Sequence, residues 1–140
     1  MATKSYEASA PIGADAEQVW AVLADGASWP SWDSGVDRFD GVIEAGGKVR
    51  VHTGGRGFPV RVTGFAPPTR IEFSGGMPLG LFRGVRTYTV TPSGSGVEFR
   101  MREEYSGPLL PLIWKSMPDL QPGFDRFAAG LKERVERGAG

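Results

Sequence analysis

The hydrophobic pattern of this chain changes period twice, and nothing else in it limits the fold so strongly. Ala16, Val19, Trp20 and Leu23 recur at helical spacing. From Val36 the period falls to two. Val49 and Val51 alternate with Lys48, Arg50 and His52, Val60 and Val62 with Arg61 and Thr63, and Ile71 and Phe73 with Arg70, Glu72 and Ser74. Each run ends in a breaker: Gly54-Gly55, Pro67-Pro68 or Gly75-Gly76. One-sided alternation of this kind describes antiparallel strands with one face inside and one in water. Near the end the helical stripe returns in Phe124, Phe127, Ala128, Leu131 and Val135, opposite Asp125, Arg126, Lys132, Glu133 and Arg134. A helix over 124–137 is about 21 Å long, enough to cross a small sheet.

The remaining elements fit around that plan. Ser5 to Ile12 reads as a first strand closed by Pro11 and Gly13, after which Asp15 caps a helix with Gln18 in capping-box position. Asp25-Gly26 stops it, and Ser28-Trp29-Pro30-Ser31-Trp32 reads as a second short helical piece. The clearest hairpin joins Arg83–Thr91 to Val97–Tyr105 through Pro92–Gly96. Its parity turns Tyr88, Val90, Val97, Phe99, Met101 and Tyr105 inward, together with two charged residues, Arg86 and Glu103. Placing Val90 opposite Phe99 sets Arg86 opposite Glu103, a cross-strand pair of opposite charge. Pro108 opens a last helical region that Pro118 and Pro122 interrupt. The result is one α+β domain over 1–140.

Composition narrows the function classes. With 16 basic and 16 acidic residues, and no run of Lys or Arg, nothing favours nucleic acid or another polyanion. The absence of cysteine removes disulfides, thiolate nucleophiles and cysteine-held metals, and fits a reducing, cytoplasmic setting. The N-terminal stretch from Met1 to Glu7 is polar, without the apolar core of a signal peptide, and no apolar run is long enough to cross a bilayer. A single histidine, His52, falls on the outer face with Lys48 and Arg50 and reads as a surface residue. Asp33, Asp37 and Asp40 do not match a calcium loop, so neither a metal nor another cofactor is expected. Gly54-Gly55-Arg56-Gly57 lacks the following helix of a phosphate-binding loop and reads as a turn.

The order of elements is itself a signature. Ala10-Pro-Ile-Gly-Ala-Asp-Ala-Glu-Gln-Val-Trp20, the passage Ala24-Asp25 to Trp29-Pro30-Ser31-Trp32, and the ending Phe127-Ala-Ala-Gly-Leu131-Lys132-Glu133-Arg-Val-Glu136 carry the likeness. The chain resembles the START-related SRPBCC superfamily, in particular its polyketide cyclase/dehydrase-like and small lipid-binding branch. That resemblance implies a helix-grip fold, in which a curved antiparallel sheet of six to seven strands wraps a long C-terminal helix. It also implies an elongated cavity between them, and members that bind lipids, sterols, polyketides or plant hormones or that cyclise polyketides. Pro118 and Pro122 stand where the family has uninterrupted helix, which predicts a kink or unwinding at the entrance end.

The aromatic and thioether side chains define the expected lining: Trp32, Phe73, Met77, Phe82, Tyr88, Phe99, Met101, Tyr105, Trp114, Met117 and Phe124. The leading expectation is therefore a binder of a small hydrophobic or aromatic ligand. The alternative is a cofactor-free aromatase or cyclase, in which Arg86 stabilises a developing enolate and Glu103 removes a proton. A third reading is an interaction module with a filled core, which uses the apolar loop Met77–Phe82 to pair with another protein or form a homodimer.

Overall fold

The computed structural model describes residues 3–139; Met1 and Ala2, which begin the polar N-terminal stretch, and Gly140 lie outside the described residues. Strand β1 (Lys4–Ile12) leads into helix α1 (Ala16–Leu23) and a 3-10 helix at Gly26–Ser31. Six strands follow: β2 (Arg38–Asp40), β3 (Lys48–Thr53), β4 (Arg56–Ala66), β5 (Arg70–Gly76), β6 (Arg83–Ser93) and β7 (Gly96–Ser106). Helices α2 (Leu110–Ser116) and α3 (Gln121–Ala139) end the chain. The strands form one antiparallel sheet in the order β1-β7-β6-β5-β4-β3-β2, so β1 closes the meander by returning beside β7. This is the helix-grip arrangement, a curved sheet holding the long C-terminal helix. A shift in register between Val62 and Gly64 in β4 helps the sheet to bend.

Local chemistry starts and stops these elements as expected. The Asp15 carboxylate accepts from the Gln18 amide at 2.8 Å, while the Gln18 side chain accepts from the Asp15 amide at 3.0 Å. Both halves of the capping box are thus made. The Trp29 indole donates to the Leu23 carbonyl at 3.1 Å, pinning the 3-10 segment to the end of α1. The two prolines near the last helix differ in effect. The chain is non-helical around Pro118, between α2 and α3, whereas Pro122 occupies the second position of α3 and is accommodated there. A first-turn proline forfeits no intrahelical bond, so α3 starts at Gln121 and not after Pro122.

The core lies between the concave face of the sheet and α3. Phe124, Phe127, Ala128, Leu131 and Val135, the stripe read from the sequence, are all buried. Phe127 meets Trp29 at 5.0 Å, Trp32 at 5.2 Å and Tyr88 at 5.4 Å between ring centroids, and Trp29 in turn meets Phe39, Phe73 and Tyr88. Ala8 and Ala10 on β1 are the small residues over which the helix passes. Side chains of α3 also reach the free side of β1. Gln121 Nε2 donates to the Glu7 carbonyl at 2.8 Å, and Lys132 Nζ donates to the Pro11 carbonyl at 2.6 Å. Glu136 accepts from the Gly13 amide at 2.8 Å and pairs with Lys132 at 2.7 Å. Lys132, and after it the Gly13 amide, hold the Glu136 carboxyl below its ordinary pKa.

Gly130 marks where α3 and the loop after the 3-10 helix come closest. A Cβ added there would stand 2.0 Å from the Asp33 carbonyl oxygen, a backbone atom that cannot swing away. Gly123 on the same helix faces open space. Gly130→Ala is therefore expected to destabilise the fold by about 2–3 kcal/mol through forced backbone displacement. Gly123→Ala should leave stability unchanged or raise it by up to about 1 kcal/mol. Urea denaturation of the two variants checks this, and equal effects would contradict the close approach.

Candidate functional site

Strand pairing sets Val90 against Phe99 and Arg86 against Glu103, the register read from the sequence. Both charged side chains face the concave side, near the end of the sheet where β6 begins and β7 finishes. There they retain 30% and 17% of their exposure. Arg86 donates to Glu103 Oε2 from Nη2 at 2.7 Å and from Nε at 3.2 Å, and the Tyr105 hydroxyl donates to the same oxygen at 2.8 Å. The Arg86 guanidinium lies 4.7 Å from the centroid of the Phe124 ring. One carboxylate oxygen thus gathers three hydrogen bonds. Oε1 of Glu103 and the Nη1 group of Arg86 take no part in them.

The electrostatics follow from that geometry. Burial opposes the Arg86 charge, but the Glu103 carboxylate and the Tyr88 hydroxyl together more than offset it, so the guanidinium is held above its ordinary pKa. Burial pushes the Tyr105 phenol up, and the neighbouring Glu103 charge pushes it further. Tyr88 is also raised by burial, with Arg86 working in the opposite direction. Both phenols therefore stay protonated wherever a free tyrosine does, as standing donors.

Aromatic rings surround this polar cluster. Phe82 stacks on Tyr105 at 6.0 Å, and Trp114 of α2 lies 5.9 Å from Tyr105. Tyr6 stacks on Trp114 at 5.5 Å and touches Phe124 at 5.7 Å. Lys4 sits 5.7 Å above the Trp114 ring. Tyr6 was not singled out in the sequence, although its parity with Ala8, Ala10 and Ile12 on β1 places it on the inner face.

The expected lining residues fall in different places. Phe82, Tyr88, Tyr105, Trp114 and Phe124 come together around Arg86 and Glu103. Phe73, Phe99 and Met101 are packed beneath the middle of the sheet. Trp32 lies against Phe127, its buried indole N–H without an acceptor among the described residues. Met77 is exposed on the loop before β6, and Met117 is half-buried at the break between α2 and α3. The elongated hollow expected along the inner face is therefore closed at its centre, because the rings of Trp29, Tyr88, Phe99 and Phe127 interlock there. Two shallow depressions of about 270 and 240 Å³ lie on the outer side of β6 and β7, lined by residues such as Thr87, Arg102, Thr89 and Glu98. The polar cluster faces away from them.

His52 lies on the outer side of β3, its Nε2 2.8 Å from Asp40 Oδ2. That contact, followed by Arg38, holds the Asp40 carboxyl below its ordinary value. Among the described residues no group of three or more metal-ligating side chains gathers. No helix among them is long and apolar enough to cross a membrane.

The fold matches known proteins at two levels. Residues 3–136 match the family of polyketide cyclases, dehydrases and lipid transport proteins, and the chain belongs to that family. A search of curated proteins finds no match. Among solved structures, the Zhui aromatase/cyclase of Streptomyces sp. R1128 superposes with a TM-score of 0.76 at 13% identity, over 99% of this chain and 97% of that one. A norcoclaurine synthase of Thalictrum, in complex with a transition-state analogue, gives 0.71 at 14% identity over 99% and 98%. A protein of Thermus thermophilus gives 0.72 at 20% identity over 98% and 100%. At these identities the likeness establishes the fold.

Two tests address the cluster. Arg86→Met leaves the Glu103 carboxylate half-buried without its cation and should cost about 2–3 kcal/mol, whereas Arg86→Met combined with Glu103→Leu should recover most of that loss. Denaturation of the single and double variants measures the coupling. In alkali the raised phenols favour unfolding. Their contribution is intact below the unfolded tyrosine value of about 10 and is lost as pH rises from there towards the folded values. Tyr105→Phe should therefore flatten the fall in stability above pH about 10, as read by melting temperature against pH.

Proposed function

We propose that the protein binds a small aromatic or lipid-like molecule at the open end of the grip. Its apolar body would lie among Tyr6, Phe82, Trp114 and Phe124, and its polar end would meet Arg86 and Glu103. The observation that carries this reading is the distribution of hydrogen bonds at the pair. Arg86 and Tyr105 gather on one oxygen of Glu103, while Arg86 also meets the Tyr88 hydroxyl. The second carboxylate oxygen takes no part in these contacts, and the solvent-reached part of the guanidinium would complete the ligand site. That combination suits a molecule with a carbonyl or phenolate oxygen beside a hydroxyl, since one group donates and the other accepts. The closed centre of the sheet supports a ligand held at the mouth, one that enters deeper only if the inner rings move.

A second reading is favoured by the Tyr105–Glu103 contact. In a cyclase, Glu103 would take a proton beside a substrate carbonyl through its free oxygen, and Arg86 would stabilise the enolate that forms. The protonated Tyr105 phenol would keep the carboxylate oriented. The family and the aromatase/cyclase fold likeness are compatible with either reading.

Thermal-shift and native mass spectrometry with fatty acids, sterols and aromatic polyketides test the proposal. Stabilisation is expected for ligands that join an apolar body to a hydroxy-carbonyl end, and should fall about ten-fold or more in affinity in Arg86→Met. Uniform failure to stabilise overturns binding. Loss of turnover in Glu103→Gln with affinity kept within about ten-fold would favour the catalytic reading over simple carriage.

A further inference from the structure

Two segments meet just outside the charged pair and form a tip unlike the rest of the surface. The loop Met77–Phe82 joins β5 to β6, and the amide of Leu109, at the start of α2, donates to the Leu81 carbonyl at 3.0 Å. From this tip project Met77, Leu79, Leu81 and, one turn into α2, Leu112. Leu79 is 96% exposed and Leu112 68%, values that a leucine reaches only when nothing covers it. Leu79 moreover holds φ at 62°, the left-handed region where a leucine is strained and a glycine or asparagine is not. The backbone there bears a cost to present an uncovered leucine.

Charge is segregated in the same place. The chain as a whole balances 16 basic against 16 acidic residues. Yet no acidic residue occurs between Gly75 and Val97, or between Tyr105 and Pro118, the stretches that contain the tip. Those stretches carry Arg83 and Lys115, both exposed, and Lys4 stands over Trp114 beside them. The overall balance hides three cations, Arg83, Lys115 and Lys4, around an apolar point, where the exposed acid on the adjoining strand, Glu104, is already paired with Arg102.

We infer that this tip docks the protein onto an anionic lipid surface, with Leu79 and its neighbours resting in the headgroup layer and Arg83 and Lys115 against lipid phosphates. The association is peripheral, since no described helix can span a bilayer. Shape and area favour this occupant. Four protruding side chains offer roughly half of the about 800 Å² that one partner of a stable protein interface buries. A tip whose leucine is 96% exposed suits a fluid layer that closes around it. A second copy docked about a two-fold axis would bring the like charges of both tips together. The tip adjoins the open end of the grip, so a lipid-like molecule leaving the surface would meet the aromatic walls directly. Docking itself concerns side chains outside the charged pair and stands apart from the ligand reading.

Sedimentation of the full chain with vesicles of neutral phosphatidylcholine, alone or with about 30 mol% phosphatidylglycerol, tests the inference. Binding is expected only with the anionic lipid and should weaken with added salt. Leu79→Asn should lower partitioning about ten-fold or more while keeping or raising the melting temperature, because asparagine tolerates the positive φ. Arg83→Ser and Lys115→Ser should each lower it about five-fold. Failure of the wild type to sediment overturns the inference, as does equal binding to neutral vesicles or undiminished binding by Leu79→Asn. So does a wild-type dimer in light scattering that Leu79→Asn dissolves, since the tip would then cover a second copy. Unchanged stabilisation of Leu79→Asn by a soluble ligand would keep this result distinct from the binding proposal.

Discussion

Closure of the fold depends on one side chain, Phe127, which touches four aromatic rings from three separate parts of the chain. Trp29 and Trp32 come from the segment after α1, Tyr88 from β6 and Phe99 from β7. Ring pairs in edge-on or tilted contact add specific attraction to the area they bury. Because Phe127 sits mid-way along α3, it fixes how deeply the helix lies in the concave face. That depth brings Gly130 against the Asp33 backbone and sets Phe124, one turn earlier, under Arg86. The polar cluster inherits its position from an apolar contact.

The same arrangement divides the inner face by chemistry. Beneath the middle strands the rings are interlocked and buried. Toward the beginning of β6 the lining becomes Arg86 and Glu103, still partly reached by solvent, over the buried Tyr105. A fully buried ion pair is costly to desolvate, and one in open water contributes little. Half-burial behind aromatic rings is the intermediate case, in which the pair is strong enough to stay together and a polar ligand group can still reach it.

Much of this was legible in the residues. Alternation between strong breakers identified the long strands, and parity placed Arg86 and Glu103 inward; that they face each other required in addition the register that sets Val90 opposite Phe99, which parity does not fix. The capping box at Asp15 and the stripe from Phe124 to Val135 were equally direct. Other features depend on tertiary placement. Strand β2 has three residues, too few to show a period. Pro118 and Pro122 look equivalent in sequence, and only the start of α3 decides which one breaks the helix. Tyr6 had the right parity but drew no notice beside the small residues that follow it. Whether the aromatic residues would line a hollow or fill it was not readable either, because that depends on the reach of Phe127 across the sheet.

The strand that returns to the far side of the meander is nine residues long, and it forms one end of the sheet. A bare margin of that length invites another chain to add itself in register. Here the margin is occupied from within: Gln121 and Lys132 take two of its carbonyls, and Pro11 contributes no amide for an incoming strand to use. The opposite margin is only three residues wide. Growth into fibrils or swapped assemblies by lateral strand addition is thereby discouraged at both ends, and the final helix serves as guard as well as core.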